Sequence, residues 1–594
     1  MTQRFLACST PAVFAAAALA AFTACQDAKP VARGADASRE ASVTSAGPAD
    51  AAVAAPDAPR VVALEDVPLP DAAMQSAAEA VAGSPTGTTL DLPTAQAWPA
   101  VNRWNDAMER EYSEFVRAIG RGVESRRCGR LDRCLRNPEI NTLYDPATEG
   151  RLTLDVDCGD LPYVLRAYFA FKRRLPFGYV DAITGSGTDP RYMLRVRPVL
   201  FHQWNDYRSP RSILRHISDS VHSGMYRVEP NQEQGDFYPI TVTRESIRPG
   251  TTYYDPNGHV LVVTDVRDDG TIFLIDGHPD GSMTWKRFGE AFELGPRFLW
   301  GGFKNWRRQT WDGTAITRAT NTELPDFDPN QQWNRDLWVA GVPREQWLRP
   351  PPEAARNSIA PGMFHLWVRR TMAAPNVVRD PVRDFREQVR SLCRDVLDRA
   401  DAVNVALGIR THQRSHPGAL PFNIYGTNGD WELYSTPSRD ARLKASVREI
   451  NEGILALPAD SPLRAQLVQA WDEERTQPAC QYTYANSAGA TVALSIDAVL
   501  DRLFAISFDP YHCPELRWGA PAGSPELSTC PDNAEKLGWY RAEQRLRNQI
   551  DRHYGVATPV SMGPAEPPAV DFRRTLGVAP AAAPTPAPAP AAAH

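Results

Sequence analysis

The sequence predicts a mixed α+β protein with a mainly α-helical second domain. Three observations carry this prediction: a helical pattern of apolar residues at 104–127, two β-rich runs at 259–266 and 271–276, and four further helical patterns between 380 and 552. Helices repeat apolar residues three and four positions apart, whereas strands form short β-rich runs bounded by turn residues. With 594 residues, 43% of them hydrophobic, the chain is long enough for two or three domains with large cores.

The first predicted domain spans 96–314. Its opening helix places Met108, Tyr112, Phe115, Val116 and Ile119 on one face. The runs "HVLVVTDV" and "TIFLID" are joined by "RDDG", and an Asp-Gly turn between β-rich runs is typical of a hairpin. The Gly-, Ser- and Arg-rich stretch between them and the first helices, 178–246, contains one predicted helix near 210–222.

The second predicted domain spans 346–556 and is mainly helical. Helical patterns cover 380–406, 440–456, 462–475 and 533–552, and a strand pair is predicted within 480–496. Residues 430–444 read as a loop followed by the start of a helix, with Thr436 and Ser438 as caps. No pattern in this stretch shows which surface it faces.

The two ends of the chain have a different character. Residues 1–24 combine a basic residue, a short apolar stretch and small residues, as an export signal does. The sequence "FTACQ" around Cys25 resembles the lipobox of bacterial lipoproteins, which implies a lipid on Cys25 and an outer-membrane lipoprotein that faces the periplasm. The alternative is a secreted or periplasmic protein cut near Ala24. Residues 25–95 and 557–594, rich in Ala and Pro, are predicted to be a disordered tether and a disordered tail.

The nine cysteines support export. Cys8 belongs to the signal and Cys25 to the lipid anchor, so seven remain, which is an odd number. Six of them allow three disulfides in an oxidising compartment, with fifteen possible connectivities. The pairs 128–134 and 513–530 are close in sequence, and Cys393 and Cys480 are the candidates for the third pair. Cys158 is then left without a partner, and its alternatives are a structural thiol, a disulfide member or a nucleophile.

Cys158 precedes a strongly apolar helical pattern in "LDVDCGDLPYVLRAYFAFKRRLPF" (154–177). Because Pro162 is tolerated only early in a helix, we expect the helix to begin at or just before Cys158, with Asp157 or Cys158 as its cap. A thiol at the positive end of the helix dipole has a lowered pKa and a larger thiolate fraction. Asp157 and Asp160 oppose this effect.

A nucleophilic cysteine needs a base, and the base needs an orienting partner. His259 opens the first strand of the predicted hairpin, and Asp276 ends the second strand, 17 residues later. His278 continues the same face and is the alternative orienting residue. We therefore expect Cys158, His259 and Asp276, or His278 in its place, to form one site.

These blocks carry a resemblance to papain-like cysteine hydrolases. "DCGDLPYVLRAYF" resembles the nucleophile helix of NlpC-type cell-wall hydrolases, and "IRPGTTYYDPNGHVLVVTDVRDDGTIFLID" is similar to their later block. The resemblance implies a papain-like domain, with a nucleophile helix packed on an antiparallel sheet. It also implies cleavage of peptide or amide bonds in peptidoglycan stem peptides. The first block is also similar to transglutaminase-like cysteine proteases, which act on proteins. A catalytically inactive envelope-binding scaffold is the third alternative.

Few other partners are expected. A net charge of −6 without a basic excess argues against nucleic acid, so the expected partners are an envelope peptide substrate and a membrane that holds the lipid anchor. The mechanism requires no metal or organic cofactor. His412 and His416 in "HQRSH" are four residues apart, but the pair lacks the Glu of metalloproteases and no metal site is predicted there.

Overall fold

The computed structural model describes residues 96–343, 359–360, 362–426, 429–555, 560 and 562–578, which belong to a single compact unit. The predicted signal 1–24, the lipidation site Cys25 and the tether to residue 95 lie outside the described residues. The fold is mixed α+β with antiparallel sheets, as the sequence predicts at that level.

The first half contains seven α-helices in the described residues, and α1 is the longest of them. They are α1 (Asp106–Glu124), α2 (Leu131–Leu135), α3 (Pro146–Glu149), α4 (Leu161–Lys172), α5 (Pro210–Ser220), α6 (Arg335–Val339) and α7 (Gly362–Met372). The second half contributes α8 (Pro381–Gly408), α9 (Asp430–Tyr434), α10 (Pro437–Leu455), α11 (Pro462–Glu474), α12 (Ile496–Asp501), α13 (Pro514–Arg517), α14 (Ala534–Ala542), α15 (Gln544–Arg547) and α16 (Phe572–Leu576).

The strands form one large sheet and three hairpins. They are β1 (Gly178–Ser186), β2 (Leu194–Gln203), β3 (Phe237–Pro239), β4 (Thr252–Asp255), β5 (His259–Val266), β6 (Ile272–Gly277), β7 (Met283–Arg287), β8 (Gly302–Trp306), β9 (Gln309–Trp311), β10 (Ile316–Arg318), β11 (Gln481–Ala485) and β12 (Thr491–Ser495). The six-stranded antiparallel sheet has the order β3-β8-β4-β5-β6-β7.

The large sheet is covered on both faces, as its alternating side chains require. Val260, Val262 and Ile275 share a core with α1 and α4. On the opposite face, Leu261 and Leu274 share a core with α6 and α7. Both helices lie beyond the predicted end of the first domain at 314, and they help to bury the second face of the sheet.

The predicted hairpin is confirmed as β5 and β6, with Val262 opposite Ile275 and Val263 opposite Leu274. The first helix and the helix near 210–222 are also confirmed, as α1 and α5. The hairpin of β1 and β2, within 178–203, was not predicted. Exposed apolar residues of β2, such as Val199 and Leu200, interrupt the alternation of apolar and polar residues that is typical of a half-buried strand.

The second region is mainly helical, and α8 is its longest helix. Its core joins residues of α8, α10 and α11 with the predicted strand pair, which is confirmed as β11 and β12. Phe572 of α16 is fully buried in this core, and Arg573 forms ion pairs with Asp497 and Asp501. These contacts lie within the stretch from 557 that the sequence predicts to be a disordered tail.

All three predicted disulfides are present: Cys128–Cys134, Cys393–Cys480 and Cys513–Cys530. The second closes 87 residues and, in the chain-entropy account, contributes about 4–5 kcal/mol to stability. Three disulfides indicate an oxidising, extracytoplasmic compartment. Among the described residues, no helix combines the length and the apolar character needed to cross a membrane.

Candidate active site

Cys158 lies in a turn just before the helix rather than within it. The Asp157 carboxylate accepts hydrogen bonds from the backbone N–H groups of Gly159 and Asp160, at 2.7 and 3.2 Å. These bonds shape an Asx turn, and α4 begins only at Leu161, with Asp160 as its N-cap. The predicted helix start at or before Cys158 is wrong by three residues, because Asp157 caps the turn instead of the helix.

Two glycines let this turn lie close to its surroundings. A Cβ atom on Gly159 would lie 2.6 Å from the backbone nitrogen of Ser223, and one on Gly277 would lie 2.5 Å from the carbonyl oxygen of Asp157. Neither backbone contact could be relieved by moving a flexible side chain. The end of β6 is thus held directly against the turn that carries Cys158.

Cys158 is the one described cysteine outside a disulfide, and it is partly exposed. Its Sγ donates to the carbonyl oxygen of Gly258 at 3.5 Å, and the backbone N–H of Val260 hydrogen-bonds to the thiol. The thiol therefore contacts the backbone on both sides of His259. This arrangement joins the nucleophile turn to the first residue of β5.

The environment of Cys158 raises the pKa of the thiol instead of lowering it. Burial has the largest effect, and the Asp157 carboxylate adds to it. The prediction of a lowered thiol pKa is wrong because burial of the thiol raises its pKa and the Asp157 carboxylate raises it further. At neutral pH the sulfur is a protonated thiol.

His259 is paired with Asp276, as the sequence predicts. The ring Nε2 lies 2.7 Å from an Asp276 oxygen, and the Asp276 carboxylate is completely buried. Burial raises the pKa of Asp276, but the neighbouring His278, His259 and Lys286 outweigh it and hold that pKa well below its usual range. The ionised carboxylate accepts from Nε2–H, which leaves the lone pair of His259 on Nδ1.

His278 lies on the other side of the same carboxylate. Its Nε2 is 3.6 Å from the second Asp276 oxygen and 3.2 Å from the Thr284 hydroxyl. The rings of His259 and His278 are nearly parallel, with centroids 5.9 Å apart. The geometry therefore favours Asp276 over His278 as the partner that orients His259.

His259 is a neutral base at physiological pH. Burial lowers its pKa below the ordinary 6.5, and the Arg442 guanidinium lowers it further, which together outweigh the opposite effect of Asp276. His259 is thus a neutral imidazole and Cys158 a protonated thiol, and both line the same cavity. Activation of such a pair requires proton transfer from sulfur to imidazole as the sulfur attacks.

A cavity of about 130 Å³ opens over this pair. One wall comes from the first region and the other from α9, α10 and the loop between them. The lining includes Cys158, Arg191, His222, His259, His278, Asp280, Trp431, Ser438, Arg439, Arg442 and Arg552.

The wall from α10 carries two arginines without acidic partners. Arg439 and Arg442 make no salt bridge or hydrogen bond within the described part of the chain, and Arg442 is buried. Burial lowers the pKa of Arg442 to about 10, and Arg552 beside it adds to the effect. Residues 430–444, whose position the sequence left open, thus supply positive charge to the cavity.

Sequence reasoning did not identify His222, which also lines the cavity. Its Nδ1 accepts from the Gly224 N–H at 3.2 Å, and burial lowers the pKa of His222 to about 4, so the ring is neutral and Nε2 carries the hydrogen. That Nε2 is buried and makes no hydrogen bond. A lone histidine in "VHSGM" has no pattern that could have predicted this role, because the role depends on the tertiary contact with Gly159.

Compared with known protein families, curated proteins and solved structures, the chain has no significant match to any of them.

Proposed function

We propose that the protein is an exported cysteine hydrolase of papain-like architecture, related to NlpC-type enzymes, that cleaves peptide or amide bonds in peptidoglycan stem peptides. One observation carries this proposal: an unpaired thiol and a buried His259–Asp276 pair meet at one cavity. The order of the three residues along the chain is that of the papain-like enzymes that the sequence resembles.

The reaction would be acyl transfer. The Cys158 sulfur attacks the carbonyl carbon while its proton passes to His259 Nδ1, and Asp276 stabilises the imidazolium that forms. The C–N bond breaks as His259 returns the proton to the leaving nitrogen. Water then attacks the thioester with His259 as base, which releases the carboxylic acid and restores the thiol.

The negative oxygen of the tetrahedral intermediate requires donors that are already in place. His222 Nε2–H fits this need, since it is buried in the cavity wall without an acceptor. A neutral donor with a pKa of about 4 stays protonated at Nε2 throughout the physiological range. His222 would then act on the reacting atoms directly.

The charge of two side chains in the cavity wall supports the proposed substrate class. Arg439 and Arg442 offer guanidinium groups without acidic partners, and guanidinium binds carboxylate in a two-pronged geometry. Peptidoglycan stem peptides carry free carboxylates, so they match this wall. An envelope location agrees with the three disulfides, and a lipid on Cys25 would hold the enzyme at the outer membrane.

The raised pKa of the Cys158 thiol favours a second candidate, an inactive envelope-binding scaffold. A thiol that stays protonated is a weak nucleophile unless a base removes its proton. The two candidates differ in one respect: the scaffold needs the cavity but not His259. Binding of muropeptides that persists in Cys158→Ala, without any turnover by the wild type, would support the scaffold.

The experiment is digestion of purified sacculi by the full-length protein and by Cys158→Ala, with the released muropeptides identified by mass spectrometry. We expect new free amino or carboxyl ends within stem peptides from the wild type and none from the variant. Incorporation of a labelled amine into proteins, without release of muropeptides, would instead identify the transglutaminase-like alternative. Equal release by both proteins would overturn the proposal.

A further inference from the structure

The N-terminus of helix α10 lines the cavity of the candidate active site. Residues 435–439, which include the N-cap and the first turn of α10, contribute to that wall. The hydroxyl of the N-cap residue Thr436 donates to Asp440 at 3.1 Å and makes no hydrogen bond to the first turn. The backbone N–H groups of Ser438 and Arg439 therefore have neither a helical acceptor nor a side-chain cap. Such a helix end carries partial positive charge and is a favourable position for an anion.

Two arginines of the same helix add full positive charges to this wall. Arg439 and Arg442 are three residues apart, so their side chains leave the same face of α10, and both line the cavity. Arg442 is 8% exposed, and within the described residues neither guanidinium makes a salt bridge or a hydrogen bond. A buried charge without a counter-ion is unfavourable, and an anionic ligand would compensate it.

Three acidic side chains near these arginines already have basic partners. Asp255 lines the same cavity and lies 2.7 Å from the Arg552 guanidinium. Asp395 and Asp398 line a second, smaller cavity that both arginines also line, and they lie 2.8 and 2.6 Å from the ammonium group of Lys286. The positive charge of the α10 wall is therefore available to a ligand.

The two arginines lie within electrostatic reach of the histidines of the site. Burial lowers the pKa of His259, and the Arg442 guanidinium lowers it further. Burial likewise lowers the pKa of His278, and the Arg439 guanidinium has the next largest effect. In the proposed mechanism His259 returns its proton to the leaving nitrogen, so the leaving residue lies on this side of the cavity.

The charge on the leaving residue distinguishes a terminal residue from an internal one. The carboxyl carbon of that residue is two bonds from the leaving nitrogen, at a distance of about 2.5 Å. If the residue is the last of the peptide, this carbon belongs to a negatively charged carboxylate beside His259. If the chain continues, the same carbon belongs to a neutral amide. Guanidinium groups bind carboxylate in a two-pronged, charge-assisted geometry, so the wall favours the terminal residue.

We propose that Arg439, Arg442 and the first turn of α10 bind the terminal carboxylate of the substrate, so that the enzyme removes single amino acids from the carboxyl end of stem peptides. This inference rests on the proposed function and narrows its substrate class. The last C–N bond of the peptide breaks, and the released amino acid takes its amine proton from His259. Water supplies the oxygen of the new carboxylate on the shortened peptide.

The test compares two synthetic stem peptides that differ only in the last residue, which ends in a free carboxylate in one and in a carboxamide in the other. Mass spectrometry after incubation with the full-length protein identifies the bond that is cut, and initial rates give kcat/KM. We expect release of one amino acid from the free acid. The amide should have a kcat/KM lower by about 10²-fold or more, because it leaves two guanidinium groups unpaired.

The two peptides also separate this inference from the proposed function. Equal kcat/KM for both, or first cleavage at an internal bond, would overturn the inference and leave the proposed function standing. If neither peptide is cut, the inference fails, and digestion of sacculi decides separately whether the proposed function fails with it.

Variants of the two arginines show whether they carry this preference. The quantity to compare is the ratio of kcat/KM for the acid to that for the amide, in which a change in the reactivity of His259 cancels. We expect Arg439→Gln and Arg442→Gln each to lower the ratio by about tenfold or more. Arg191→Gln is the matched control, since Arg191 lines the same cavity but is paired with Asp189 at 2.7 Å, and should keep the ratio.

A ratio that is unchanged in both Arg439→Gln and Arg442→Gln would overturn the assignment to these arginines. If Arg442→Gln does not fold, Arg439→Gln and the wild-type ratio still decide.

Discussion

Two buried histidine–aspartate pairs, one in each region, have similar local geometry and different surroundings. His259 is held at 2.7 Å by Asp276, and His512 is held at 3.0 Å by Asp532. The free nitrogen of His259 belongs to a cavity that also contains a thiol. The free nitrogen of His512 is enclosed by further carboxylates.

The difference shows that two things define the role of a histidine–aspartate pair: its access to solvent, and the chemical group that lies next to the free nitrogen of the histidine. A neutral imidazole beside a thiol and an open cavity can transfer a proton during a reaction. An imidazole enclosed by carboxylates can only hold a proton. If His259 and Asp276 proved dispensable for catalysis, the two pairs would not differ in function. The variants below test this difference.

The largest effect is expected from His259→Gln. Because the variant removes the base, hydrolysis should fall by about 10⁴-fold in kcat/KM while Tm stays nearly unchanged. His216→Gln is the matched control, since His216 also contacts an aspartate, Asp181, at 3.1 Å but does not line the cavity. Assays of muropeptide release measure both. If His259→Gln kept the wild-type kcat/KM, the His259–Asp276 pair would have no catalytic role to distinguish it from the His512–Asp532 pair.

The next largest effect is expected from Asp276→Asn, at about 10³-fold in kcat/KM. The amide cannot stabilise the imidazolium that forms on His259. His278→Gln should cost less than about tenfold, because His278 contacts the far oxygen of Asp276. The ratio of the two losses identifies the orienting residue, and a larger loss in His278→Gln would assign that role to His278.

His222→Phe should lower kcat by about 10²-fold with little change in KM, since a donor to the oxyanion acts only in the transition state. His222→Gln restores an N–H donor and should recover much of the rate. A purely structural His222 would make both variants lose stability, which thermal unfolding measures. Equal activity in all three proteins would exclude His222 from the reaction.

The pH profile provides the smallest and most specific effect. Activity requires neutral His259, so it is lost as the pH falls through the pKa of His259, which lies below 6.5. Arg442 lowers that pKa, so Arg442→Gln should raise it and move the acid limb of kcat/KM to higher pH. Arg439 lines the same cavity, and we expect Arg439→Gln to leave the acid limb at the same pH. A limb that does not move in Arg442→Gln would show that another group controls it.

Some features of the fold and of the site could be predicted from local patterns in the sequence. The β5–β6 hairpin followed from "RDDG" between two β-rich runs, and the odd number of exported cysteines isolated Cys158. The approach of His259 to Asp276 followed from strand alternation and the hairpin. These features depend on residues close together in the chain or on simple counting.

Long-range packing could not be predicted in the same way. The sequence gives no signal that α6 and α7 cover the second face of the sheet, or that Arg442 reaches a cavity beside His259. The pKa of Cys158 was predicted with the wrong sign because it depends on burial by distant segments and on the turn shaped by Asp157. His222 lies in the site because it packs against Gly159, which is 63 residues earlier in the chain.

The central claim is that Cys158 carries the acyl group during the reaction. The most direct measurement is mass spectrometry of the peptide that contains Cys158, after purified muropeptides and enzyme are mixed and quenched in acid within the first turnover. The account predicts a thioester adduct on Cys158 in the wild-type enzyme and no adduct and no turnover in Cys158→Ala. Turnover by Cys158→Ala at the wild-type rate, with no adduct on the wild-type thiol, would contradict it.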